Sequence, residues 1–203
     1  MARLDAETGD GSAARRGELA DAVLRVMAAR GVQGTTMREV AREAGWTTGA
    51  FVHHFHDKAG MIEFACEAWM RRIRASADAA VGGQTGLAAL RSFLAADLPG
   101  GDPASDEELR IWHSMIEAAS RNDRLAETWR GMYEEYSHEC ARLLREAIDE
   151  GEIPSSCDVE QATAALIATV DGLNVRRLVD AKRVTTDLQL RVLDQVLASL
   201  LTR

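Results

Sequence analysis

The sequence predicts an all-α protein, and three observations carry that expectation. Alanine, leucine, arginine and glutamate dominate the 203 residues, and all four are good helix formers. The alternating Val/Ile/Thr/Tyr runs that mark half-buried strands are missing. Only three prolines interrupt the chain. With 46% hydrophobic residues, there is apolar material enough for a core of one or two small domains.

Residues 1–13 are rich in Gly, Asp, Ser and Ala and read as a disordered tail. From Ala14 to about Arg30, the positions Leu19, Ala22, Val23, Val26 and Met27 follow the spacing of an amphipathic helix. Gly31 is placed to end that helix as a left-handed cap. Thr36 with Glu39 forms a capping box that opens a short second helix, whose face carries Met37, Val40, Ala41 and Ala44 before Gly45 stops it. Thr47 or Thr48 caps a third helix through about Phe55, and Asp57 caps a fourth with Met61, Ile62, Ala65, Ala68, Trp69 and Ile73 as its apolar stripe.

Gly82-Gly83 breaks the chain before a fifth helix over Leu87–Leu98, and 99-PGGDPASDEE-108 reads as a linker. Helices follow at about Glu107–Arg121, Asp123–Glu150, Asp158–Ala181 and Thr186–Leu201. The last of these carries two stripes, Leu188/Val192/Val196/Leu200 and Leu190/Leu193/Leu197/Leu201. A helix apolar on two sides is usually buried on two sides, so a homodimer through the last two helices is expected.

Several function classes are disfavoured at this level. No apolar run reaches the roughly 18–20 residues of a membrane span, and the N-terminus lacks a signal-peptide core. Cys66, Cys140 and Cys157 are scattered, without a C-x-x-C, which suits a reducing cytoplasm. G-x-S-x-G, H-E-x-x-H, P-loop and G-x-G-x-x-G motifs are absent, so neither an enzyme nor a cofactor is expected. The net charge of −8 conceals an uneven distribution. Residues 14–60 hold Arg15, Arg16, Arg25, Arg30, Arg38, Arg42 and Lys58 against five acids, leaving that segment mildly positive. A basic head on an acidic body suits a DNA regulator, although charge scattered over a solvated surface would look the same.

Three of the five histidines, His53, His54 and His56, crowd together. A metal reading gains little support, because structural zinc wants four ligands and Asp57 is the one nearby carboxylate, with no local cysteine. No metal site is expected. The two short helices across a glycine turn, 36-TMREVAREAGWTTGAFVHHF-55, have instead the spacing of a helix-turn-helix. Trp46 and Phe51 can fill the angle between them while Thr47, Thr48 and Ala50 point outward.

The run TTMREVAREAGWTTGAFVHHFHDKAGMI (35–62) resembles the DNA-binding domain of the TetR/AcrR family of transcriptional regulators. The match rests on Thr35, Thr36, Val40, Ala41, Ala44, Gly45, Gly49, His54, Phe55 and Lys58, at the family's spacing and without gaps. The resemblance implies a DNA-binding domain over 14–60 and a helical ligand-binding and dimerisation domain over 61–203. It also implies a dimeric repressor on a palindromic operator, released by a small-molecule inducer. Thr36 and Arg38 then fall at DNA contacts of the second helix. Thr47, Thr48, Gly49, Ala50 and His53 take the recognition positions, His54 and Lys58 stand beside phosphates, and Arg15 and Arg16 reach the backbone from before the first helix. Val52 departs from the family, which usually has a phosphate-binding tyrosine there. Either that contact is lost, at about 1 kcal/mol, or His53 substitutes for it.

The C-terminal half is similar to the BetI-like subgroup, on the Glu-Gly-Glu-Ile turn (150–153) and the Asp171-Gly172-Leu173 signature. Candidate pocket residues are Trp112, His113, Met115 and Ile116, then Trp129, Met132, Tyr133 and Tyr136, then Thr169, Asp171 and Asn174, since aromatics with a few polar groups suit a small-molecule cavity. Each can equally be plain core. For that subgroup choline is one candidate ligand among many, held by aromatic rings through cation–π attraction.

Overall fold

A computed structural model describes residues 9–201, with the side chains of all but 9–13 and 103. The described residues form nine helices and no strand: α1 (Gly9–Gly34), α2 (Met37–Glu43), α3 (Thr48–Phe55), α4 (Lys58–Val81), α5 (Gly86–Ala96), α6 (Pro103–Ala119), α7 (Asp123–Asp149), α8 (Val159–Val179) and α9 (Thr186–Leu200). The tail expected over 1–13 lies largely outside the described residues, and the backbone is already helical from Gly9. Two compact units emerge. One takes the chain through Arg71 together with Ser114–Thr128, and the other takes Arg72–His113 and Trp129–Arg203. In this division α4, α6 and α7 each contribute to both units.

The first unit is built on the apolar stripe of α1. Leu19, Ala22, Val23, Val26 and Met27 are all buried there with Val40, Ala41, Phe51, Met61 and Ile62. Gly31 does break the helical path, with φ 64°, although helical turns resume to Gly34. The Thr35 hydroxyl, fully buried, donates to the Gly31 carbonyl at 2.8 Å. Lys58 closes this terminus from a distance in sequence: its Nζ donates to the Val32 carbonyl at 2.5 Å and approaches that of Gln33 at 3.4 Å. A cation on the last carbonyls of a helix is favourable both as a hydrogen bond and against the helix dipole.

Caps then set the short helices. Thr36 Oγ1 accepts from the Glu39 amide at 3.2 Å, and Thr47 Oγ1 from the Ala50 amide at 3.3 Å. The capping box is only half used, because the Glu39 carboxylate faces Arg42 at 3.2 Å and Arg30 at 3.5 Å. Gly45 turns the chain at φ 69°, a conformation costly for other residues. The Trp46 amide returns to the Ala41 carbonyl at 2.8 Å.

In the second unit, Leu90, Leu94, Leu143, Leu144, Leu166 and Leu193 form a dry centre from α5, α7, α8 and α9. The expected linker is shorter than the sequence suggested, since α6 begins at Pro103. Asp102 explains the early start: its carboxylate accepts from the amides of Ala104 (2.9 Å) and Ser105 (3.1 Å), and proline is tolerated at a first helical position because no N–H is needed there. Arg177, almost wholly buried, pairs with Asp106 at 3.1 Å and donates to the Val184 carbonyl at 2.9 Å.

The two stripes of α9 are used differently from the expectation. Leu193, Leu197 and Leu200 are buried, and Leu190, Val192 and Val196 pack against the same core, so the unit itself takes most of both. Large exposed apolar side chains remain at Leu201, at the end of α9, and on α8 at Val175 and Val179, in line with exposed Ala164, Ala165, Ala168 and Gly172.

Two substitutions test these anchors. A Cβ at Gly86, which has φ +55°, would collide with the Glu152 and Glu150 carboxylates, and Glu152 receives the Leu87 amide at 2.6 Å. Gly86→Ala should therefore lose at least about 2 kcal/mol in urea unfolding. Lys58→Ala should cost about 1–2 kcal/mol by freeing the α1 carbonyls, and an unchanged unfolding midpoint would show that the cap carries no weight.

Candidate DNA-contact surface and candidate ligand site

The eight residues of α3 are divided cleanly by burial. Phe51 is fully buried and Phe55 nearly so, with ring centroids 4.9 Å apart, and Phe55 meets Phe64 at 5.3 Å. Thr48, Gly49, Ala50, Val52, His53 and His54 are all exposed on the remaining surface. Thr36, Arg38 and Thr47 are exposed as well, although the hydroxyls of both threonines already accept cap bonds. A threonine so engaged can still donate its proton, so a phosphate contact and the cap are compatible.

Trp46 proves to be more than a filler of the angle between the helices. Its ring meets Phe51 edge-on at 6.2 Å and His54 at 5.8 Å, and the Arg15 guanidinium lies over it, 5.6 Å from the centroid. Arg16 lies over Phe64 at the same distance. The aromatic surface thus gathers both arginines beside α3. Burial, the Arg16 charge and the neighbouring His53 together hold the His54 imidazole below its usual pKa. A phosphate placed beside it would oppose all three effects.

Lys58 is less available than the sequence reading supposed. Its ammonium is engaged with carbonyls of α1, and burial lowers its pKa. His56 stands just past the end of α3 at φ 53°, off the helical path of His53. Among the described residues, no group of three His, Cys, Asp or Glu side chains could hold a metal.

In the second unit, the candidate pocket residues divide. Tyr133, Tyr136, Asp171 and Asn174 come together, and Trp129 stands beside Tyr133 at 5.7 Å. Thr169 donates to its own helix at the Ala165 carbonyl, 2.7 Å away. Trp112 and Met132 are half-buried and His113 is exposed, while Met115 and Ile116 belong to the first unit, Met115 in its core.

The gathered residues form a closed ring with two that the sequence reading missed, Phe93 and Asp97 on α5. Tyr133 Oη donates to the Asp171 carboxylate. One turn along α8 from Asp171, Asn174 Nδ2 donates to the Asp97 carbonyl at 3.1 Å, and Gln189 Nε2 approaches Asn174 at 3.4 Å. One turn along α7 from Tyr133, Tyr136 stacks on Phe93 at 4.8 Å, and Phe93 precedes Asp97 by one turn. The Tyr136 hydroxyl faces Asp97 but is buried without a well-formed hydrogen bond. Two carboxylates and two phenols from three helices thus converge within an aromatic wall. The signal for Asp97 was present in the sequence, as the one acid in the apolar stretch 86–98.

Burial holds both carboxyls above the ordinary range. Asp97 is pushed up to about 6, first by desolvation and further by Asp171, with Tyr136 acting against the rise. Asp171 is raised by desolvation, opposed by the bond from Tyr133. Neither shift draws on a lysine or arginine. The sign follows directly: a carboxyl whose pKa is higher folded than unfolded favours folding most below its unfolded value, and that contribution is lost as pH rises through about 6. Asp97→Asn should therefore raise unfolding free energy by about 2 kcal/mol at pH 7.5 and change it little at pH 4. Equal effects at both pH values would contradict the buried charge.

Comparison with known proteins fits this geometry. Residues 19–64 match the family described as bacterial regulatory proteins, tetR family, and residues 87–202 match the BetI-type transcriptional repressor C-terminal domain. The HTH-type transcriptional regulator BetI of Paraburkholderia phymatum is 30% identical over 202 residues, covering 93% of this chain and 94% of that relative. Among solved structures, a putative TetR-family transcriptional regulator from Rhodococcus sp. superposes with a TM-score of 0.81 at 25% identity, over 94% of this chain and 100% of that one. A putative transcriptional regulator from Saccharomonospora viridis, solved in complex with choline, shares the fold with a TM-score of 0.79 at 18% identity, over 92% of this chain and 96% of its own. With one family match on the helix-turn-helix and another across more than half of the chain, the protein belongs to the TetR family as a BetI-type, DNA-binding transcriptional regulator, a family of regulators and not of enzymes.

Proposed function

We propose that this regulator is a cytoplasmic repressor that binds a palindromic operator as a homodimer and leaves it when an organic cation fills the ring of Asp97, Asp171, Tyr133 and Tyr136. The observation that carries the ligand half is the convergence of Asp97 and Asp171 with two phenols, in which Tyr133 Oη donates to Asp171 and the Tyr136 hydroxyl is buried without a well-formed bond. An aromatic wall with half-buried carboxylates suits a cationic head group through both charge and cation–π attraction. The choline held by the Saccharomonospora viridis relative is of that chemical class.

For the DNA half, α3 offers Thr48, Gly49, Ala50 and His53 to the major groove, with small side chains that permit close approach. Arg38 is the one long side chain at the start of α2 able to bind guanine through two hydrogen bonds. Arg15, Arg16, Thr36, Thr47 and His54 serve the phosphates, while Lys58 holds the end of α1 beside them. Val52, 44% exposed, brings a methyl surface where the family has a phenol, and His53 beside it supplies the replacement donor. Dimerisation would use the exposed Ala/Gly/Val face of α8 with α9, since small residues let two helices approach closely. No helix among the described residues is long and apolar enough to cross a membrane.

Protection of DNA flanking its own gene should reveal a palindrome, and choline or another organic ammonium should reverse it at fixed ionic strength. Arg38→Ala should weaken operator binding at least about tenfold and random DNA far less, the signature of a base contact worth about 1–3 kcal/mol. Equal losses on the two DNAs would remove Arg38 from base recognition.

A further inference from the structure

Resting on the reading of the ring as a cation site, we infer that the effector is a compact organic dication, with Asp97 and Asp171 each taking one of its positive centres. The two carboxylates sit on different helices, Asp97 at the end of α5 and Asp171 within α8. They are brought together by the Asn174 bond to the Asp97 carbonyl and by the Tyr133–Tyr136–Phe93 side of the ring. Each has a phenol of its own: Tyr133 donates to Asp171, and the Tyr136 hydroxyl, buried and without a well-formed bond, is aimed at Asp97. The site is therefore doubled, with two similar halves.

Charge balance decides between ligand classes. With both carboxyls ionised, the ring carries two negative charges, and among the described residues no lysine or arginine forms an ion pair with either one. Taking unpaired charges out of water is costly, and the cost is recovered only when each is matched at close range. A single ammonium answers one charge and leaves the second carboxylate desolvated. A second cationic centre on the same molecule answers both. The connecting stem then lies among Phe93, Tyr136, Tyr133 and Trp129, where methylene groups and aromatic rings suit one another.

The test uses the full chain at pH 7.5 and constant ionic strength, with affinities taken by calorimetry and checked by thermal shift. The probes are 1,4-diaminobutane and 1,5-diaminopentane, set against n-butylamine, choline and the neutral 1,4-butanediol. At least one diamine should bind tenfold or more tightly than n-butylamine and choline, and the diol should not bind. Asp97→Asn and Asp171→Asn should each erase that advantage, leaving diamine and monoamine alike, and the ligand series on the unsubstituted protein stands even if a variant folds poorly. If choline or n-butylamine binds as tightly as the diamines, the dication is overturned while the cation reading survives. Failure of every cation to bind a protein that still protects its operator overturns both. A diamine advantage that persists in both variants overturns the assignment to Asp97 and Asp171.

Discussion

The burial of Phe51 and Phe55 on one side of α3 is the constraint on which the DNA-contacting unit depends. An eight-residue helix has too few turns to be stable alone, and its hold on the protein comes from those two rings. Burying each contributes about 2–3 kcal/mol. Because both lie on one side, Thr48, Gly49, Ala50, Val52 and His53 are left exposed on the other. Trp46 extends the same aromatic surface outward, where it meets His54 and lies under Arg15. One set of apolar contacts therefore anchors the helix, orients its polar face and collects positive charge beside it.

The second unit follows the opposite logic, since its distinctive feature works against stability. Leucine-rich helices could close around one another without any acid between them, yet two carboxyls, two phenols, an asparagine and a glutamine lie at their junction. Asn174 and Gln189 are buried and bonded to one another, and Asn174 is spent on the backbone of Asp97. Such a polar cluster specifies one arrangement of α5, α7, α8 and α9, because any slip would strand its groups unsatisfied. It does so at the cost of desolvated charge. That cost is intelligible if a ligand supplies the missing countercharge.

Much of the fold was legible in the sequence because it is written in interactions no more than four residues apart. The caps at Thr36, Thr47, Asp57, Asp158 and Thr185, the turn at Gly45 and the stripe of α1 are all of this kind. The helix-turn-helix was legible for the same reason, and the resemblance of the residues over 35–62 carried the family. Local rules also misplaced one boundary, where the capping power of Asp102 draws α6 forward over residues taken for a linker.

What only the tertiary structure decided involves partners far apart in the chain. Lys58 was expected at a phosphate and is found on the carbonyls of Val32 and Gln33. Both stripes of α9 are drawn mostly into the core of its own unit, and Leu201 is left exposed. Asp97 drew no notice in the sequence, and packing sets it against Asp171 and Tyr136. By itself the sequence determined the helices, their caps and the reading head, because periodicity and capping act within a turn or two, and its residues over 35–62 carried the family resemblance. Which carboxyls lose water together, and which cation is held by which carbonyl, depends on helices meeting across long separations, and no local pattern encodes that meeting.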